Sequence, residues 1–350
     1  MRASWLSVTT LVGVYAALAQ AGPLPPLAAP SGTAQVAWSK TLSPAPAYVS
    51  DALVWMDSLV VADRGASALR LYGANGSSRA EMVGAHRNRG GLVGFVLLAA
   101  DGDRLFALSR RRALISLSLP SLQVQGEEPS DLPGGGGRFL AFQSKFVLVG
   151  AGSRAQEGPV DYVWSEQQDQ APGGRRALWM IDESLRRFMD LVYTPLVCRA
   201  PDGQVAAIRP ERLQMALIDT ASGGRRLYDL APPPGYRPRV RPMPSLAPSQ
   251  RGEYLAWRAE ASYLGGLACS GRGVTVLRGE GVGTQTDWFA DLYGYDGKLQ
   301  GSMALPLRAT RIVPLSPSCP DCVELLAIQG DMMELGTEHT WVRYATPASR

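Results

Sequence analysis

Between residues 50 and 84 the chain alternates short apolar runs with polar turns. Residues 58–62 and 68–72 flank one such turn, and the second run leads into Ala74-Asn75-Gly76. This is the outline of one antiparallel sheet unit built from short strands. The theme recurs along the chain. A second copy spans residues 95–119 and turns at Asp101-Gly102-Asp103, and a third runs through 139–150 and resumes at 175–183. Residues 151–174 between those two runs are polar and Gly-rich, as an insertion would be. A fourth copy is LVCRAPDGQVAAIRP (196–210), followed by QMALIDTASGG and RRLYDL. The fifth starts at Tyr254 and runs through YLAWRAEASYLGGLACSGRGVTVLRG, and the sixth begins at Ala309 and is completed by HTWVRYATP.

The first turns of these copies fall at Asp57, Asp101, Ser144, Asp202, Leu264 and Asp321. Six units of this size suit blades of four strands, so the fold expected is all-β, a six-bladed β-propeller over residues 34–346 with a short tail at 347–350. A pair of β-sandwiches would also show short strands at regular spacing, but it needs a linker, and residues 232–248 are the only candidate. A helical repeat is disfavoured because no apolar period near 3.6 is sustained.

Composition adds compartment and turn content. The 350 residues include 38 Gly and 26 Pro, scattered throughout, which favours many turns over long helices. The start of the chain has Arg2, an apolar run over residues 6–19 and small residues at Ala17 and Ala19, the pattern of a secretory signal (1–19) cleaved before Gln20. The run is short for a membrane span, so none is expected after cleavage. Residues 20–33 are Pro-rich and read as a flexible leader that makes no sheet contacts. The expected location is secreted or periplasmic. Net charge is only +4, and the arginine doublets read as solvated turns, so no nucleic acid is expected as a partner.

Residues 57–76, DSLVVADRGASALRLYGANG, resemble the strand, Asp-containing turn, strand and Asn-Gly turn of secreted bacterial six-bladed propellers of the NHL-type and TolB-like group. The resemblance implies the fold. GAHRNRGGL (84–92) departs from the acidic loop that many relatives carry after this unit.

Candidate chemistry is sparse. His86 and His339 are the only histidines, too few for a His-rich metal site or a nucleophilic triad. Asp101-Gly102-Asp103 reads as a turn, Asn75-Gly76 as a hairpin, and residues 134–137 and 279–283 as Gly-rich loops without the Lys-Ser/Thr of a phosphate cradle. The tryptophans, about one per copy, suit packing between sheets. Cys319-Pro320-Asp321-Cys322 is followed by a strand-like run, so Cys319 and Cys322 are expected to clip a hairpin. Cys198 and Cys269 lie in leading strands of consecutive copies and are read as a second disulfide, with two buried thiols as the alternative. No catalytic, cofactor or metal residue is assigned. The expected function is non-enzymatic: an exported binding or scaffold protein for a protein, peptide or glycan, using residues 151–174 and 232–248 as contact loops. The rival is a metal-dependent hydrolase or lyase with a divalent cation held by carboxylates in a central channel.

Overall fold

The structure is a computed structural model that describes residues 32–83, 95–109, 113–129, 138–142, 145–149, 160–167, 176–181, 196–209, 212–244, 251–282, 286–315, 322–330 and 338–345. The expected signal segment, most of the leader, the C-terminal tail, His86, the departing loop at 84–92 and Cys319 lie outside these residues.

The described residues form six four-stranded antiparallel sheets. Strand β1 (Gln35–Thr41) comes first in the chain and joins the last sheet. The first sheet is β2 (Val49–Trp55), β3 (Ser58–Asp63), β4 (Ala68–Tyr72) and β5 (Ser78–Val83). The second is β6 (Phe95–Asp101), β7 (Arg104–Ser109), β8 (Ala113–Ser118) and β9 (Gln123–Pro129), and the third β10 (Arg138–Phe142), β11 (Lys145–Val149), β12 (Val160–Gln167) and β13 (Arg176–Ile181). The fourth is β14 (Val197–Arg199), β15 (Val205–Arg209), β16 (Gln214–Ile218) and β17 (Arg225–Asp229). Helix α1 (Arg251–Ala259) precedes the fifth, β18 (Tyr263–Cys269), β19 (Val274–Glu280), β20 (Asp287–Tyr293) and β21 (Leu299–Arg308). The sixth holds β22 (Arg311–Leu315), β23 (Cys322–Gln329), β24 (Glu338–Ala345) and β1.

The leading strands β2, β6, β10, β14, β18 and β22 each touch the next, and β22 touches β2. The sheets therefore close on themselves as a β-propeller, which leaves no end sheet with an open apolar face. Apolar residues between neighbouring sheets form the core. Leu277, Trp288 and Met303 of the fifth sheet meet Ile312, Leu325 and Val342 of the sixth. Leu59 and Val61 of the first meet Val313, Leu326 and Trp341 of the sixth. Trp179, Trp257, Trp288 and Trp341 are all buried.

The ring closes where β1 runs antiparallel to β24, with Lys40 opposite Trp341. Trp38 meets Trp341 edge to face at 4.8 Å between ring centres, and the Arg343 guanidinium lies 4.8 Å from the centre of the Trp38 ring. Glu324, fully buried, accepts the Trp341 indole N–H at 2.7 Å and pairs with Arg343 at 3.3 Å. Arg311 adds a second tie by donating to the Val49 and Ser50 carbonyls of the first sheet.

Four expectations need correction. The leader does touch a sheet: the Ala34 N–H donates to the Ala304 carbonyl, and the Ala304 N–H donates to Gly32. The N-terminal segment thus laces three sheets, since Ser43 goes on to bridge Ser77 of the first. The polar stretch at 151–174 is not wholly an insertion, because β12 inside it pairs with β11 and β13. Residues 254–259 are helical rather than extended. Glu253 in the first turn and Arg258 in the last complement the helix dipole, and Trp257 and Arg258 turn inward and are buried. The fifth turn is not at Leu264, which lies within β18, but at residues 270–273.

Candidate functional site

Each sheet folds back after its leading strand, and the described turns that do so are at Met56-Asp57, Gly102-Asp103, residues 201–203 and residues 270–273. Contacts among them place these inner turns around one mouth of the ring. The Trp55 indole N–H donates to the Gly102 carbonyl at 3.0 Å, linking the first and second sheets. Arg199, at the end of β14, reaches Asp101, at the end of β6, at 3.6 Å. That ion pair joins the second and fourth sheets past the third. Cys198 and Cys269, both buried, form a disulfide between β14 and β18. With a sequence separation of 71 between the two cysteines, the cross-link removes loop entropy from the unfolded chain worth about 4 kcal/mol. Cys322 is also disulfide-bonded.

Of the remaining candidate residues, Asp101-Gly102-Asp103 is a turn with Gly102 in the left-handed region, and Asn75-Gly76 is the β4–β5 hairpin turn, where the Asn75 carboxamide accepts the Ser77 N–H. Gly279 lies inside β19, so the Gly-rich run at 279–283 starts within a sheet. His339 is buried on β24. Among the described residues, no three His, Cys, Asp or Glu side chains converge as a metal site would require. A further carboxylate near the ring's interior, Asp51, is buried and accepts the N–H of Leu98 at 2.9 Å, so it joins the first two sheets.

The contact loop expected at residues 232–248 is, over its described part 232–244, a strap bound down on the fifth sheet. Its alternate arginines tie it down, Arg237 and Arg239 from partly buried positions and Arg241 at the surface. Arg237 donates to Glu280 at 2.7 Å, Arg239 donates to the Trp257 carbonyl and lies over the Trp257 ring at 3.6 Å, and Arg241 pairs with Glu260. Beneath the strap is a buried ion network. The Arg278 guanidinium donates at 2.7 Å to both Asp291 and Glu280, and also to the Pro234 carbonyl. Asp291 accepts a further bond from Ser302 at 2.6 Å, and Glu280 one from Ser262. Burial alone would lower the Arg278 pKa, but its two carboxylate partners raise it, so the guanidinium stays charged. Every carboxylate in this network is held by donors, and the cluster contains no group free to act as nucleophile or base. It fixes the strap. The sequence carried a signal for it: Val274, Val276, Arg278 and Glu280 share one face of β19, and charge at inward positions of an apolar strand calls for a partner.

Two tyrosines record how dry this region is. Tyr293 donates to the Ala231 carbonyl at 2.8 Å, and burial, then the Asp291 charge, raises its pKa. Tyr295 donates to Ser270 at 2.7 Å, and burial, then Asp202, pushes it up to about 12. Because the folded state holds protons that the unfolded chain releases near pH 10, this stabilisation is complete below about pH 10 and drains away as pH rises toward 12. The urea midpoint should therefore fall steeply above pH 10, with tyrosinate absorbance rising in step with unfolding. Full tyrosine ionisation near pH 10 with the fold intact would contradict this.

No protein-family model matches the sequence, and no curated protein does. Similarity to solved structures shows the fold. U3-55K aligns with a TM-score of 0.54 at 8% identity, over 88% of this chain and 99% of that one. The RRP9 WD40 repeats align with a TM-score of 0.54 at 9% identity, over 89% and 99%. A DUF4221 family member from Bacteroides vulgatus aligns with a TM-score of 0.53 at 8% identity, over 89% of this chain and 97% of that one. At this identity the likeness establishes a β-propeller and nothing about ligands.

Proposed function

We propose that the chain is an exported binding protein, its six sheets serving as six blades of one ring, and that the inner-turn face recognises a protein, peptide or glycan. The observation that carries this reading is the bracing of that face: inner turns from separate sheets are tied to one another by the Trp55 hydrogen bond, the Arg199–Asp101 pair and the Cys198–Cys269 disulfide. Turns held on rigid strands are preorganised for recognition, which lowers the ordering cost of binding. Export is supported by the disulfides, which persist in oxidising compartments. Among the described residues no helix is long and apolar enough to cross a membrane.

The test is photo-crosslinking in the exporting host. A photoreactive residue at Met56, Asp202 or Arg272 should give discrete adducts, and one at Val83 or Val124 on the outer strands should not. Adducts from the outer strands alone, or none from any of the five positions, would overturn the reading.

A further inference from the structure

Among the described residues, four non-glycine positions adopt left-handed backbone conformations: Met56 (φ 53°), Ser67 (φ 52°), Leu122 (φ 55°) and Leu213 (φ 48°). Ser67, Leu122 and Leu213 are buried, so packing offsets their strain. Met56 is 68% exposed. Only the first central residue of its two-residue turn is left-handed, a geometry that prefers glycine at that position. The second sheet obeys the preference with Gly102 (φ 59°) in the matching turn, and the fourth places Gly203 (φ 84°) in its inner turn. The first sheet instead carries a long thioether there, strained and in water.

Beside it stands Trp55, half-buried, its indole N–H already given to Gly102, so what it offers a visitor is apolar ring. The surrounding charge is mainly negative. Asp57 follows Met56 in the turn, and Asp101 and Asp103 flank Gly102. Against these three carboxylates stands Arg199, paired to Asp101, while the Arg104 guanidinium lies over the Phe106 ring at 5.0 Å. Asp57 and Asp103 are exposed and in no ion pair among the described residues.

We infer that Trp55 and Met56 form the anchor for a protein partner's segment that presents an apolar side chain flanked by lysine or arginine. This rests on the binding reading above and names the partner's chemistry. A flexible thioether beside a fixed ring accommodates aliphatic or aromatic side chains, and the carboxylates on either side select cations.

The probe is a labelled nine-residue peptide with a central Leu-Trp pair and lysines on both sides, followed by fluorescence anisotropy with the disulfide-intact protein. Saturable binding is expected, weakened at least tenfold by Met56→Gly, several-fold by Asp57→Asn with Asp103→Asn, and by added salt. Met56→Gly should melt at or above the wild-type temperature, since glycine relieves the turn, so lost binding could not be ascribed to misfolding. Equal affinity for Met56→Gly, or no binding of the lysine peptide, would overturn the inference. If crosslinks still form at Met56, Asp202 or Arg272 in that case, the broader binding reading survives; if none of the three gives one, both fall.

Discussion

Replacing Arg278 by methionine should cost about 3–5 kcal/mol of folding stability, the range seen when one partner of a buried ion pair is removed. Arg278, Asp291 and Glu280 are each at least 97% buried, and methionine fills much of the space without supplying a donor. Glu280 would keep the Arg237 guanidinium and the Ser262 hydroxyl, whereas Asp291 would keep the Ser302 hydroxyl but lose its compensating charge. The double variant Arg278→Met, Asp291→Asn removes the stranded charge, leaves the Arg237–Glu280 pair in place, and should recover part of the loss. Urea unfolding reads both. A single variant costing less than about 1 kcal/mol, or a double variant no better than the single, would show that the network is not held by charge compensation as described.

Much of the fold was legible because strand and turn chemistry repeat. The fourth copy reads directly: Asp202-Gly203 marks the inner turn, Asp219 and its Ser222 partner mark a later one, and two apolar runs, at 205–209 and 214–218, separate them. The fifth copy misled because Gly265-Gly266 imitates a turn. Those glycines are in a strand and clear space for neighbours: a Cβ on Gly265 would come within 2.5 Å of the Trp288 ring, and one on Gly266 within 2.3 Å of Pro314. Close approach to a ring of the same sheet or to the next sheet leaves no local mark that distinguishes it from a turn. Residues 254–259 were misread for a related reason, since a two-turn helix packed by Trp257 shows too few periods to separate it from a strand.

The site was less legible than the fold. The disulfide between Cys198 and Cys269 could be anticipated from their places in consecutive leading strands. The strap could not, because whether a Pro-rich segment projects or packs depends on Arg237, Arg239 and Arg241 finding Glu280, Trp257 and Glu260, none of them adjacent in sequence. Met56 gave a signal only by comparison of turns, as the residue standing where the next copy has Gly102.

The face proposed for binding exists only while the ring is closed, and closure rests on the N-terminal segment. Three chains, beginning at Gly32, Gln35 and Ser43, separate its parts. Starting at Gln35 removes the two hydrogen bonds to Ala304 and the burial of Ala34, a loss of about 1–3 kcal/mol. Starting at Ser43 also removes the β1 ladder, the Trp38 contacts with Trp341 and Arg343, and the buried Leu42 side chain. The sixth sheet is then left with three strands, and Trp341 is uncovered on one side. Several further kcal/mol should go with it, from ladder hydrogen bonds and apolar burial. The thermal melt of these three chains is the most direct measurement of the closed ring. A stepwise fall is predicted, small from Gly32 to Gln35 and large from Gln35 to Ser43; chains beginning at Gln35 and Ser43 that melt at the same temperature would contradict closure by β1.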